Sequence, residues 1–152
     1  MRGLWLLVHY LGFILWLGGG LAAMIAGVTA KRFAPAERLA AYRLTSAIQR
    51  GLVMPGAIGV VLSGFVLLQP YMRADAMSGG WLHTMLGAGT LGALIAIFGS
   101  VPIAARMGRL QLDPRGELPE SFVHLRRKQI WVATIAGGLG LVALFAATLM
   151  RF

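Results

Sequence analysis

The two residues of this chain best suited to bind a metal or a cofactor are His9 and His83. Each lies near the start of a long apolar segment. An ionisable side chain inside a membrane is costly to bury, so it marks a functional site by default. A neutral imidazole nitrogen is a common ligand of haem iron. The pair is therefore a candidate set of two ligands for one haem iron.

Four apolar segments of helical length must position these histidines, at residues 4–28, 52–68, 81–105 and 130–149. Each reaches or approaches the ~20 residues that a helix needs to cross the hydrocarbon layer. An amphipathic helix over residues 34–50 is expected to lead into the second segment. Charged residues make up 12% of the chain, about half of their share in soluble domains. The sequence predicts an all-α integral membrane four-helix bundle that forms a single domain over residues 1–152.

The basic residues define a membrane orientation. The chain has 14 lysines and arginines and a formal net charge of +9. All except Arg2, Arg73 and Arg151 lie between the first and second segments or between the third and fourth. The positive-inside rule then places both basic loops in the cytoplasm and both termini outside. This topology and the attraction to anionic lipid of the bilayer explain the charge, so no nucleic-acid partner is expected.

This topology places the two histidines at similar depths. At 1.5 Å per residue, His9 lies about 9 Å and His83 about 3 Å below the outer ends of their segments. If the first and third helices face each other, one iron can bind both imidazoles. Gly12 and Gly87 share the faces of their histidines and would leave room there for a flat porphyrin. The alternative role for such glycines is close packing between membrane helices.

A haem near the outer face indicates a role in electron transfer. Arg2 or Arg73 would pair with the haem propionates at the outer surface, and the partner would be a quinone or a periplasmic redox protein. Cysteine is absent from the chain, which excludes iron–sulfur clusters and thiolate-ligated metals. The sequence has no phosphate-binding glycine loop and no His-Glu-x-x-His motif, so no self-contained catalytic reaction is predicted.

Methionines near His83 leave a copper site open as an alternative. Met77 and Met85 lie close to His83 in the sequence. Thioethers combined with imidazole suit Cu(I), so a copper-handling protein would use these three residues together with His9. A third interpretation treats both histidines as interfacial residues of a non-catalytic membrane subunit, in a homodimer or a larger membrane complex. His124 lies in an arginine-rich stretch and is expected to be a solvated surface residue.

Two sequence motifs resemble a known family of small membrane proteins. Leu7-Val8-His9 with the following Leu15-Trp16-Leu17-Gly18-Gly19, and later Gly80-Trp81-Leu82-His83, are similar to the copper-resistance protein D superfamily and its HemJ-like branch. HemJ-like proteins are membrane protoporphyrinogen oxidases that bind haem b, so the resemblance implies a haem ligated by His9. The copper-resistance branch is linked to copper uptake across the inner membrane, so the resemblance to that branch implies copper handling.

One position departs from the HemJ-like pattern. That branch carries a lysine two residues after the histidine of the Trp-Leu-His motif, and this chain has Met85 there. A thioether supplies neither the charge nor the proton of a lysine. The resemblance therefore does not imply protoporphyrinogen oxidase activity, and the chain is more similar to the copper-resistance branch and to uncharacterised integral membrane relatives.

Overall fold

The computed structural model describes residues 2–73 and 80–149, which are helical apart from short connections and contain no strand. Four helices in these ranges are long and apolar enough to cross a membrane: α1 (Arg2–Arg32), α2 (Pro35–Pro70), α3 (Gly80–Met107) and α4 (Glu120–Leu149). The prediction of an all-helical chain with four membrane-length helices is therefore confirmed. We refer to the end of the bundle with Arg2, Pro70 and Gly80 as the histidine end, and to the opposite end as the basic end.

Two helices extend beyond the apolar segments because their basic ends are amphipathic. α2 begins at Pro35, which occupies the first turn, where a missing N–H costs little. It continues without a break into the apolar segment, as the pattern of residues 34–50 predicts. α4 begins at Glu120, well before the apolar segment at residue 130. Phe122 explains this early start, because its buried ring packs edge-on against Tyr42 at a centroid distance of 5.1 Å.

The helices pack as two pairs at the histidine end. The first part of α1 (Arg2–Phe13) packs mainly on the last part of α2, which starts at Met54 and continues as a helix beyond the membrane-length span to Arg73. The first part of α3 (Gly80–Ile95) packs mainly on α4. Over these segments α1 and α3 hardly contact each other, and the two pairs meet where α2 lies beside α3. This arrangement keeps α1 and α3 apart at the histidine end.

A π-helical turn interrupts each of the first three helices. These turns are Ile14–Gly18 in α1, Gln49–Val53 in α2 and Ala96–Ser100 in α3, and the α2 turn contacts the other two. A π turn inserts one extra residue into a helix and thereby changes which side chains face the bundle on either side of the insertion. Such turns are frequent at functional sites. Trp16, within the α1 turn, is almost fully buried.

Glycines of α3 and α4 accommodate the Trp16 indole. A Cβ at Gly92 would lie 3.1 Å from Trp16 Cη2, and a Cβ at Gly140 would lie 3.3 Å from the same atom. The indole therefore reaches from α1 to both helices of the other pair. Because an aromatic side chain buries a large apolar area, Trp16 ties the two pairs together.

Gly12 packs against α2 instead of lining open space. A Cβ at Gly12 would lie 2.9 Å from the carbonyl oxygen of Gly56, and a Cβ at Gly56 would lie 2.7 Å from the carbonyl oxygen of Gly12. Both distances are shorter than real Cβ contacts, so the two backbones cross where neither residue has a side chain. This corrects the expectation that Gly12 leaves room for a porphyrin, because helix packing accounts for it.

Candidate functional site

His9 is held by two hydrogen-bond acceptors on α2. Its side chain is half-buried, and Nδ1 lies 3.1 Å from the Val60 carbonyl oxygen and 2.9 Å from Ser63 Oγ. The Ser63 hydroxyl donates its proton to the Gly59 carbonyl, so its oxygen accepts from the imidazole. The carbonyl oxygen can only accept a hydrogen bond. Since both partners of Nδ1 are then acceptors, the ring proton is assigned to Nδ1. In the neutral ring, Nε2 then carries the lone pair.

Metal-binding histidines use this geometry. Such a histidine donates its second ring N–H to a backbone carbonyl or a similar acceptor, which fixes the tautomer and the orientation of the ring. Phe13 restrains His9 further, because the two rings pack edge to face with centroids 5.3 Å apart. None of the described residues hydrogen-bonds Nε2. This nitrogen is therefore available as a ligand.

His9 lines a narrow cleft between α1, α2 and α3. The walls are mostly apolar and include Phe13 of α1, Val60, Gly64 and Phe65 of α2, and Met85 and Thr90 of α3. The cleft has a volume of about 40 Å³ and is open on one side. This volume admits a water molecule or a metal ion, whereas pockets for whole organic ligands have ~300–1,000 Å³. A larger ligand must therefore extend through the open side.

The structure places His83 on a different surface from His9. His83 is exposed and does not line the cleft, whereas Met85, two residues further along α3, does. Two positions along an α-helix correspond to a rotation of about 200° about the helix axis, so the two side chains point to nearly opposite sides. Gly87 is exposed, and no heavy atom lies within 4 Å of a Cβ built on it. The expected ligation of one iron by both histidines therefore receives no support from their positions.

The other predicted site residues lie at or beyond the edge of the site. Arg2 is exposed at the start of α1, about 10 Å along the helix axis from His9. The side chain of Arg73 and the whole of Met77 lie outside the described residues. Within the described ranges, no group of three or more histidine, cysteine, aspartate or glutamate side chains is arranged to hold a metal. Of the predicted copper ligands, His9 and Met85 share the cleft.

The sequence analysis missed Ser63, which fixes the orientation of His9. Ser63 is fully buried, and its hydroxyl bridges the His9 ring and the α2 backbone. Its signal in the sequence is that it is the single hydroxyl residue of the apolar segment 52–68. A buried hydroxyl needs a hydrogen-bond partner, so an isolated serine in such a segment is a candidate partner for an intramembrane histidine.

A second buried polar feature, the glutamine–serine bridge (Gln49, Ser100 and Gln129), joins α2, α3 and α4. Gln129 Nε2 donates to Ser100 Oγ at 2.7 Å, and the Ser100 hydroxyl donates to Gln49 Oε1 at 3.4 Å. All three side chains are buried, and Gln129 Oε1 has no hydrogen-bond partner among the described residues. The bridge specifies how the three helices fit together, and its residues do not line the His9 cleft.

Comparisons with models of protein families, with curated proteins and with solved structures give no match for this chain. The resemblance of its motifs to the copper-resistance protein D superfamily therefore stays a prediction. The function therefore has to be inferred from the residues of the site itself, and chiefly from His9 with its oriented Nε2.

Proposed function

We propose that this protein is a haem b-binding integral membrane protein that transfers electrons, and that Nε2 of His9 would hold the haem iron. The observation that supports this role is the hydrogen bonding of Nδ1 to Val60 and Ser63. A histidine in a membrane helix is costly, and here two acceptors on α2 orient the ring and leave Nε2 for a ligand. A haem-binding histidine needs this orientation.

The donor atom and the apolar lining of the cleft match a haem in their chemistry. A neutral imidazole binds haem iron, and apolar walls with Phe13 and Phe65 suit the faces of a porphyrin. The cleft volume of about 40 Å³ is smaller than a porphyrin, so most of the haem would extend through the open side of the cleft.

Met85 replaces His83 as our candidate for a second residue that would hold the haem iron. It lines the cleft from α3, and a histidine–methionine pair is an established form of haem ligation that raises the reduction potential. A bound haem would supply one-electron transfer. The residues of the chain would orient the imidazole, present the thioether and keep water from the iron.

The proposal places the basic end in the cytoplasm of a bacterium and the histidine end outside the inner membrane. The distribution of lysines and arginines supports this orientation. The electron partner would then be a quinone in the membrane or a periplasmic redox protein. Protoporphyrinogen oxidase activity is not part of the proposal, because Met85 stands where that branch has a lysine.

A copper-handling protein is the second candidate, and one observation favours it. His9 and Met85 line the same cleft, whose volume suits an ion better than a porphyrin. Imidazole with thioether is also a suitable donor set for Cu(I). If the protein were a non-catalytic membrane subunit, the oriented Nε2 of His9 would have no function. We therefore rank this interpretation below both candidates.

Visible spectroscopy of the protein purified in mild detergent tests the proposal. A Soret band, with sharp α and β bands after reduction by dithionite, would establish a b-type haem. A protein that stays colourless after haem supplementation during expression would contradict the proposal. Binding of Cu(I) by that colourless protein, lost in Met85→Leu, would establish the copper candidate.

A further inference from the structure

The first turns of α4 present a basic stripe on one face of the helix. His124, Arg127, Lys128 and Trp131 follow one another at spacings of three, one and three residues, which places them on one side of an α-helix. Together with Val132 they line a surface groove of about 420 Å³, which we name the α4 groove. A groove of this size has room for a small polar group.

The two cations of the α4 groove, Arg127 and Lys128, form no ion pair within the part of the chain that the structure describes. Both side chains are exposed. The preceding Arg126 differs, because it is half-buried and donates from Nε to the Tyr42 hydroxyl at 2.9 Å. Arg126 therefore has a structural role, whereas the two cations that follow it are available for an external anion.

The same face of α4 continues as an apolar strip. Ile135, Gly138 and Val142 follow Trp131 at helical spacing, and all are exposed. No heavy atom lies within 4 Å of a Cβ built on Gly138, so the strip is open at that position. Tryptophan prefers the interface between headgroups and hydrocarbon. Along the helix, the cations are therefore followed by an aromatic ring of a type that favours this interface and then by an exposed apolar strip.

We propose that the α4 groove binds an anionic phospholipid. The phosphate would pair with Arg127 and Lys128, the glycerol region would lie against Trp131, and an acyl chain would follow the strip through Gly138. Arginine binds phosphate through two parallel hydrogen bonds, and basic residues at the cytoplasmic surface attract anionic lipid. A soluble phosphate would use only the cations, whereas the strip below them fits a lipid. This site is independent of the His9 cleft.

Native mass spectrometry of the protein released from nanodiscs that contain phosphatidylcholine and phosphatidylglycerol tests this site. The double variant Arg127→Gln/Lys128→Gln is expected to retain at least about fivefold less phosphatidylglycerol than the wild type. The matched control is Arg43→Gln/Arg115→Gln, which removes the same charge from two exposed arginines outside the groove. The control is expected to retain phosphatidylglycerol like the wild type.

A third variant, Gly138→Leu, tests the acyl strip without a change of charge. The leucine would occupy the open position of the strip at Gly138, so retained phosphatidylglycerol should fall although both cations remain. Since all the substituted positions are exposed, thermal unfolding should confirm that each variant is folded.

Three results would overturn the proposal. The first is an equal loss of phosphatidylglycerol from both double variants, which would mean that net charge alone attracts the lipid. The second is unchanged retention in Gly138→Leu, which would remove the acyl chain from the site. The third is stabilisation of the detergent-solubilised protein by inorganic phosphate to the same extent as by a short-chain phosphatidylglycerol, which would make the site one for a free anion.

Discussion

At the scale of single residues, the candidate site depends on one nitrogen atom, His9 Nε2. The sequence identifies His9 because a histidine in an apolar segment is conspicuous. It does not identify Ser63 as its partner, because the two residues lie on different helices and meet only when α1 crosses α2. The same crossing gives Gly12 a packing role. His9 can therefore be identified from its own apolar segment, whereas the hydrogen bonds that orient its ring depend on a second helix.

Ser63→Ala should weaken the cofactor site without removing its ligand. The variant loses one of two acceptors for Nδ1–H, so the ring is less firmly oriented, and haem should dissociate about tenfold faster, with a shifted midpoint potential. Stopped-flow transfer of haem to apomyoglobin and a redox titration measure these effects. Thr90→Val is the control, because it removes a hydroxyl from the same cleft that does not hydrogen-bond His9. Equal changes in both variants would mean that Ser63 does not position His9.

At the scale of the helices, the hydropathy pattern predicts the four helices but not the rotation of each helix about its own axis. The amphipathic pattern of residues 34–50 predicts the extension of α2, whereas α4 starts before its apolar segment, where the buried ring of Phe122 packs on Tyr42. The three π turns have no signal in the apolar pattern. Met85 and His83 differ by two positions, yet only Met85 lines the cleft. The identity of the ligand pair therefore depends on helix rotation, which composition does not encode.

Gly56→Ala should destabilise the crossing of α1 and α2. The added Cβ would lie 2.6 Å from Trp16 N and 2.7 Å from the Gly12 carbonyl oxygen, and a backbone cannot yield as a flexible side chain does. We expect a loss of about 1–3 kcal/mol, seen as a lower midpoint of thermal unfolding in detergent. Gly20→Ala is the control, because no heavy atom lies within 4 Å of its Cβ position. The prediction fails if the two variants unfold at the same temperature.

At the scale of the whole molecule, the four apolar helices are predictable because crossing a membrane depends on an average over ~20 residues. Their lateral order is not predictable in this way. It follows from specific contacts such as Trp16 against Gly92 and Gly140, and from the glutamine–serine bridge. One iron could bind both His9 and His83 only if α1 and α3 faced each other, and the packing does not provide this at the histidine end.

The proposed orientation can be tested directly because the chain has no cysteine. Gly3→Cys at the histidine end should react with a membrane-impermeant maleimide in intact spheroplasts. Arg115→Cys, between α3 and α4, should react only after permeabilisation, because the basic end is expected to face the cytoplasm. The cysteine-free parent is the control for background labelling. Labelling of Arg115→Cys alone in intact spheroplasts would reverse the orientation and move the cleft to the cytoplasmic side.

The most direct test of the central claim compares the visible spectra of His9→Ala and His83→Ala, each purified after expression with added haem. The account predicts that His9→Ala loses the Soret band and the reduced α and β bands, because the oriented Nε2 is the ligand. His83→Ala should keep the wild-type spectrum, because this exposed residue does not line the cleft. An unchanged spectrum in His9→Ala, or loss of the spectrum in His83→Ala, would contradict the account.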